Sequence, residues 1–365
     1  MNETHKIKVG ITHGDINGIG YELILKVIED PRIAEICTPI IYGSAKIASY
    51  YRRALNMPQG SLCQIASPLD AREGENNIIN VVAEDTKVEP GQSTATAGQA
   101  AFVALERAVA DLRQGLIDVL VTAPINKHNI QSDTFRFPGH TEYLEASLGD
   151  GDDRALMILC CDNLRVALVT AHMPLDKVAE NITADNVLSK IKDFNRSLQR
   201  DFGVSSPRIA VLSLNPHAGE NGLLGNEETE SIIPAIEKAR EAKILAFGPY
   251  AADGFFGSGN YNRFDGVLAM YHDQGLTPFK TLAMDRGVNL TAGLSHVRTS
   301  PDHGTGYDIA GSGQADENSM RQAIYTAIDC YRNRVIDTEI HRNPLRKQYF
   351  EKGKDNVVLD LTKDE

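Results

Sequence analysis

Apolar residues recur along this chain in two alternating rhythms. Short runs of strand length, KIKVGIT (6–12), PIIYGS (39–44), NNIINVVA (76–83), IDVLVT (117–122), RIAVLSL (208–214) and GVLAMY (266–271), end in glycine, proline or polar clusters. Such bounded runs predict buried strands. Between them lie stripes of helical period. Leu23, Ile24, Val27 and Ile28 form one. Phe102, Leu105, Val109 and Leu112 form another, with Gly115 placed to end the helix, and Val187, Ile191, Phe194 and Leu198 a third that stops at Gly203. Further helices are predicted over about 227–242 and 317–336. RALMILCC and LRVALVTAH (154–172), joined by Asp162 and Asn163, read as a hairpin. Alternating strands and helices predict α/β architecture with a largely parallel sheet.

The polar residues that interrupt this pattern carry the candidate chemistry. Three histidines share one context, VALVTAH ending at His172, AVLSLNPH at His217 and GVLAMYH at His272. Each stands at, or just beyond, the end of an apolar strand. If those strands are parallel neighbours, or meet across a dimer, three imidazoles can converge and leave a fourth metal position open. Taken singly, each histidine reads equally as a loop or core residue. Asp253, Glu220 and Asp273 are candidate partners. Lys280, Asn289 and Arg298 lie among glycines in segments that read as loops between short strands. With His140 and Thr141, which open a helix in FPGHTEYLEASLG (137–149), they would suit a phosphate group. Thr141 has a second reading as a plain helix cap. The turn HGDINGIG, with Gly14, Gly18 and Gly20, is either an anion cradle or a tight turn.

Composition narrows the class. At 365 residues the chain is long for one core, so two domains or a bilobal body are expected. A net charge of -12 excludes a general nucleic-acid binder but leaves room for a small anionic substrate. No apolar run approaches the ~18 residues of a membrane span. The opening MNETHKIKVGITHG has no apolar leader, and the five cysteines, an odd number without a CxxC pair, read as reduced buried thiols. A cytoplasmic protein is expected.

The blocks GDINGIG, VTAPINK, FPGHTEYL, VALVTAHMPL, LNPHAGE, AMYHDQG, RGVN and DHGTGYDIAG, in this order from about residue 8 to 334, resemble the 4-hydroxythreonine-4-phosphate dehydrogenase family of pyridoxal 5′-phosphate biosynthesis. The resemblance implies a fold like the isocitrate and isopropylmalate dehydrogenases, with two α/β domains and the active-site cleft between them. The corresponding division is 1–130 plus 300–365 for the first domain and 131–299 for the second, which carries the metal ligands and dimer interface. It implies a homodimer with a shared active site. His172, His217 and His272 would hold a divalent cation, zinc or else cobalt, manganese or magnesium, with His272 coming from the other subunit. His140, Thr141, Lys280, Asn289 and Arg298 would bind substrate, and His303, Gly304 and Thr305 would contact NAD. Lys280 or Asp253 would take the proton.

The implied reaction is NAD-dependent oxidation and decarboxylation of 4-phosphooxy-L-threonine to 3-amino-2-oxopropyl phosphate. Alternatives are a paralogue acting on 4-phospho-D-threonate or 4-phospho-D-erythronate, a phosphate acyltransferase of related fold, and a non-catalytic phosphoacid-binding protein. The chain departs from the family where His13, Ile16 and Tyr21 replace the prolines usual in the first turn, and at Gly306 and Tyr307.

Overall fold

The computed structural model describes residues 6–344 except 59, 61, 150 and 152. The charged tail read from the sequence therefore lies outside the described residues from 345 onward, as does that part of the expected first domain. The strands are β1 (Lys8–Thr12), β2 (Thr38–Gly43), β3 (Cys63–Ile65), β4 (Asn77–Asn80), β5 (Val119–Thr122), β6 (Leu156–Cys161), β7 (Leu164–Leu168), β8 (Arg208–Leu212), β9 (Leu245–Tyr250), β10 (Gly266–Ala269), β11 (Val288–Ala292) and β12 (Val297–Pro301). They form one 12-stranded sheet in the order β3-β4-β2-β1-β5-β12-β11-β6-β7-β10-β8-β9. Both wings are parallel; β12, β11, β6 and β7 in the middle run antiparallel to one another.

Side-chain alternation along the strands sorts the core into layers. Val9 and Ile11 of β1, Ile158 of β6 and Ile209 and Val211 of β8 share one apolar cluster that runs along a whole face of the sheet. The helices Gly20–Ile28, Ala184–Arg200 and Asn318–Arg342 cover it through Leu23, Ile24, Val187, Phe194, Ile324 and Ile328. On the other face the apolar side chains fall into two separate clusters. Leu120 packs with Phe102, Leu105, Phe135 and Tyr143, while Met157, Leu159 and Val166 pack with Phe255 and Phe279. The interval between those clusters is where polar residues occupy the sheet.

Most expected elements form where the apolar pattern puts them. The hairpin is β6–β7, and Gly115 and Gly203 adopt the left-handed φ of 70° and 68° that ends a helix. Other expectations change. Lys280 is not in a loop but on the helix His272–Ala283, and Asn289 and Arg298 lie on β11 and β12. Gly275 and Pro278 break up the apolar spacing of that helix, yet Leu276, Phe279 and Ala283 still share a buried face. Gly275 is required there, because Leu168 and Val166 of the sheet would meet a Cβ at 2.8 and 2.9 Å. The helix expected over 227–242 begins as a wider turn, Glu228–Ile232, and becomes regular at Ile233–Glu241. The five cysteines are unpaired, with Cys37, Cys160 and Cys330 buried.

Candidate active site

A cavity of about 270 Å³ opens between the two clusters. Its floor is the middle of the sheet: Met157 and Leu159 on β6, Asn289 on β11, Arg298 and Ser300 on β12 and Thr122 at the end of β5. Pairing explains the grouping, since Asn289 stands opposite both Leu159 and Ser300, and Arg298 opposite both Thr291 and Leu120. The N-terminal turns of two helices, His140–Leu148 and His272–Ala283, reach the rim. Each brings unpaired backbone N–H groups and a positive dipole end, a setting that favours anions. Thr141 is not the helix cap, because the chain enters that helix at Gly139.

Arg298 is 3 % exposed and makes no ion pair among the described residues. Its Nε and Nη2 donate to the Thr122 hydroxyl at 3.1 and 2.5 Å, and Nη1 donates to Thr291 at 3.1 Å. Burial pulls the guanidinium down to about 9, against the opposing pull of Glu142, so it remains charged at neutral pH. A buried cation resting on hydroxyls is an incomplete arrangement that an anionic ligand would complete. Other polar atoms here are also buried without partners among the described residues: His140 Nε2, Asn289 Oδ1, Glu142 Oε2 and His303 Nε2. Burial, with the Arg298 and Lys127 charges adding to it, holds His140 well below its ordinary value, so its imidazole is neutral. Burial likewise lowers His303. Lys280 donates to the Asp302 carbonyl at 2.9 Å and pairs with its carboxylate at 3.2 Å. Burial raises Asp302, and Lys280 offsets part of that rise.

The strands that precede the three histidines, β7, β10 and β8, are parallel neighbours, as convergence of the imidazoles requires. His172 and His272 line the cavity with ring centroids 6.0 Å apart. His172 Nδ1 meets Glu142 Oε1 at 3.0 Å and His272 Nδ1 meets Asp273 Oδ1 at 2.7 Å. Carboxylates held on Nδ1 orient both rings and leave Nε2 as the nitrogen available to a metal. The hydrogen bond from His172 keeps Glu142 below the usual carboxylate range. His217 stands apart, lining a neighbouring cavity with Asp253, Tyr271 and Gln274. Among the described residues of this chain, no three His, Cys, Asp or Glu side chains are grouped to hold a metal ion. His272, expected from a second subunit, lies beside His172 in the same chain, while His217 lines the neighbouring cavity.

His303 and Gly304 line the main cavity; Thr305 does not. The Thr305 carbonyl accepts from Ile19 N at 2.9 Å and would lie 2.6 Å from a Cβ at Gly18. The glycines of the first turn therefore serve close backbone packing, which favours the tight-turn reading. Lys127, Glu142, Thr122 and Asp302 also belong to the cavity, and sequence reasoning misses them. Glu142 and Asp302 are readable as carboxylates beside His140 and His303. Thr122, at the end of a buried strand, and Lys127, past it, carry the weaker signal of polar residues at a strand terminus.

Residues 35–327 match the family model of the pyridoxal phosphate biosynthetic protein PdxA. The 4-hydroxythreonine-4-phosphate dehydrogenase of Bacteroides thetaiotaomicron is 57% identical over 359 residues, 98% of either chain. The D-threonate 4-phosphate dehydrogenase of Cupriavidus necator is 41% identical over 319 residues, 87% of this chain and 95% of that one. The crystal structure of the Klebsiella pneumoniae 4-hydroxythreonine-4-phosphate dehydrogenase superposes with a TM-score of 0.78 at 34% identity, covering 91% of this chain and 99% of that one. With this fold, these blocks in order and identity over nearly its whole length, the chain belongs to the PdxA family of pyridoxal phosphate biosynthetic proteins.

Proposed function

We propose that this protein oxidises the C3 hydroxyl of 4-phosphooxy-L-threonine with NAD, the product losing carbon dioxide to give 3-amino-2-oxopropyl phosphate for pyridoxal 5′-phosphate synthesis. The names of the Bacteroides and Klebsiella relatives support the substrate. The observation that carries the reading is Arg298, a buried guanidinium without a carboxylate partner among the described residues, at the floor of a cavity with two helix N-termini at its rim. His140, Thr141, Asn289 and Arg298 bind and orient the phosphorylated acid. Lys280, positioned by Asp302, takes the hydroxyl proton in its neutral amine form, with Asp253 as the competing base. His303, Gly304 and Thr305 contact the cofactor.

When bound, a divalent cation, zinc or else cobalt, manganese or magnesium, supplies charge stabilisation at the reacting oxygen, and NAD accepts the hydride. His172, His217 and His272 would hold the cation. That His217 lines a different cavity from the other two supports completion of the set between the subunits of a cytoplasmic homodimer. The lobes 1–130 plus 300–365 and 131–299 belong to the same proposal.

The Cupriavidus relative supports a second reading, in which the substrate is 4-phospho-D-threonate or 4-phospho-D-erythronate. NADH formation measured with each acid separates the two. Preference for the amino acid is the expected result, and a strong preference for a hydroxy acid overturns it.

A further inference from the structure

We infer that Glu228 is a positioning residue for His217, holding the loop after β8 in a conformation it would not keep alone. This rests on the reading of His217 as a metal ligand. From His217 to Asn221 every residue has positive φ: 52°, 53°, 77°, 43° and 56°. Only Gly219 adopts that region without steric cost; in the other four, Cβ crowds the following carbonyl oxygen. A run of such residues persists only where its surroundings over-determine it.

Backbone bonds from Leu223 and Leu224 N to the Glu220 and Gly219 carbonyls close the loop, and one carboxylate lies beneath it. Glu228 is 2 % exposed, and its Oε1 accepts from the backbone N–H of Leu214 at 2.9 Å and of Asn215 at 2.8 Å. Its Oε2 accepts from the Asn215 side chain at 3.0 Å, and Glu227 takes a second bond from the same amide at 2.7 Å. The left-handed loop folds over this carboxylate so closely that a Cβ on Gly219 would lie 2.5 Å from Oε2. The wide turn seen at Glu228–Ile232 supplies the geometry. There the Glu228 carbonyl accepts from Ile233 N, five residues on, and two successive carboxylates turn toward Asn215. Such turns inside helices concentrate at functional sites. Glu228 does not line the cavity that holds His217 and Asp253, so it acts through the backbone and not on a ligand.

A glutamine at 228 presents an amide N–H₂ where only acceptors fit, which leaves a buried donor facing another donor. The entry to the loop at Leu214 and Asn215 then loses its anchor, and His217 loses its direction.

The test is cobalt(II) binding to the full-length purified protein, read by competition with a chromophoric chelator and by the visible cobalt spectrum. Loss of an outer partner of a metal ligand weakens affinity about 10–100-fold, and that is the effect expected for Glu228→Gln, with an altered spectrum. Gly219→Ala, which disturbs the same contact from the loop side, is expected to act likewise. His217→Ala is the control: if it binds cobalt as the wild type does, the metal reading itself fails. If His217→Ala weakens binding while Glu228→Gln leaves affinity and spectrum unchanged, the positioning role is overturned and the metal reading stands. Should Glu228→Gln fail to fold, Glu228→Asp and Gly219→Ala decide in its place, and wild-type affinity in both overturns the inference.

Discussion

Arg298 on β12 donates through both Nε and Nη2 to the single hydroxyl of Thr122 on the neighbouring strand β5. A guanidinium buried on hydroxyls keeps its charge without a counterion, which is costly until an anion arrives. Replacing it with an apolar side chain of similar length removes that cost. Arg298→Met is therefore expected to melt at the wild-type temperature or above it in the absence of ligand. Inorganic phosphate should raise the wild-type melting temperature, by the equivalent of about 2.7 kcal/mol at a hundred times its dissociation constant, and leave the variant unmoved. A phosphate-dependent rise of equal size in Arg298→Met would remove Arg298 as the anion anchor.

The bond between Glu142 and His172 makes a separate prediction about the metal. Glu142→Gln keeps the size of the side chain but weakens the hold on Nδ1. Divalent-cation affinity should fall about 10–100-fold, measured by chelator competition, with the protein still folded. Unchanged affinity would make the contact a surface pair without a role in ligation.

In the proposed reaction Lys280 and Asp253 are the two candidate bases, and the structure sets them in different cavities. Removing a general base costs typically about 10²–10⁴-fold in turnover. Lys280→Met is expected to lose kcat by that amount with a smaller change in KM, and Asp253→Asn to retain more activity. The reverse order in steady-state NADH assays would move the base to Asp253.

Elements with a regular apolar period are legible in the sequence itself. The strand ahead of each histidine and the helix covering Phe102 through Leu112 follow from apolar spacing, because burial on one side is what that spacing records. Long-range pairing is not legible in this way. Nothing local says that β11 and β12 enter the sheet as its antiparallel middle, so Asn289 and Arg298 read as loop residues. Lys280 reads as a loop residue for a different reason: Gly275 and Pro278 answer tertiary packing and mask a helix. The separation of His217 from His172 is likewise a property of the three-dimensional arrangement, to which strand-end position gives no access. The left-handed loop at 217–221 carries only one glycine at its centre and so gives no strong turn signal of its own.

Tyr307 is one of the two departures in the glycine-rich loop, and its hydroxyl has two good partners. It donates to the buried Asp15 carboxylate at 2.7 Å and accepts from Asn126 at 3.1 Å. Those bonds tie the loop that carries His303 to the first turn and to the segment after β5. Tyr307→Phe leaves Asp15 short of a donor, a loss of about 1–3 kcal/mol. We expect KM for NAD to rise several-fold with kcat nearly constant. A fall in kcat with KM for NAD unchanged would contradict a role in ordering the cofactor loop.

His13, a departure in the first turn, predicts how stability depends on pH. Its ring is fully buried and stacks on Tyr21 at 5.3 Å with an interplanar angle of 14°, and Tyr21 stacks in turn on Tyr51 at 5.7 Å. Neither ring nitrogen makes a hydrogen bond of normal geometry. Burial pulls the imidazole from 6.5 to about 4, against a weaker opposing pull from the Gly14 backbone. The folded state therefore takes up a proton less readily than the unfolded one. The resulting stability is complete above pH 6.5 and declines as pH falls, until the folded ring itself protonates near 4. By pH 5 the loss is about 2 kcal/mol. His13→Phe keeps an aromatic ring in the stack and removes the titration. Its melting temperature should fall less than the wild type's between pH 7.5 and 5, by about 2–4 °C. Parallel melting curves for the two proteins across that range would show that His13 does not govern the acid limb.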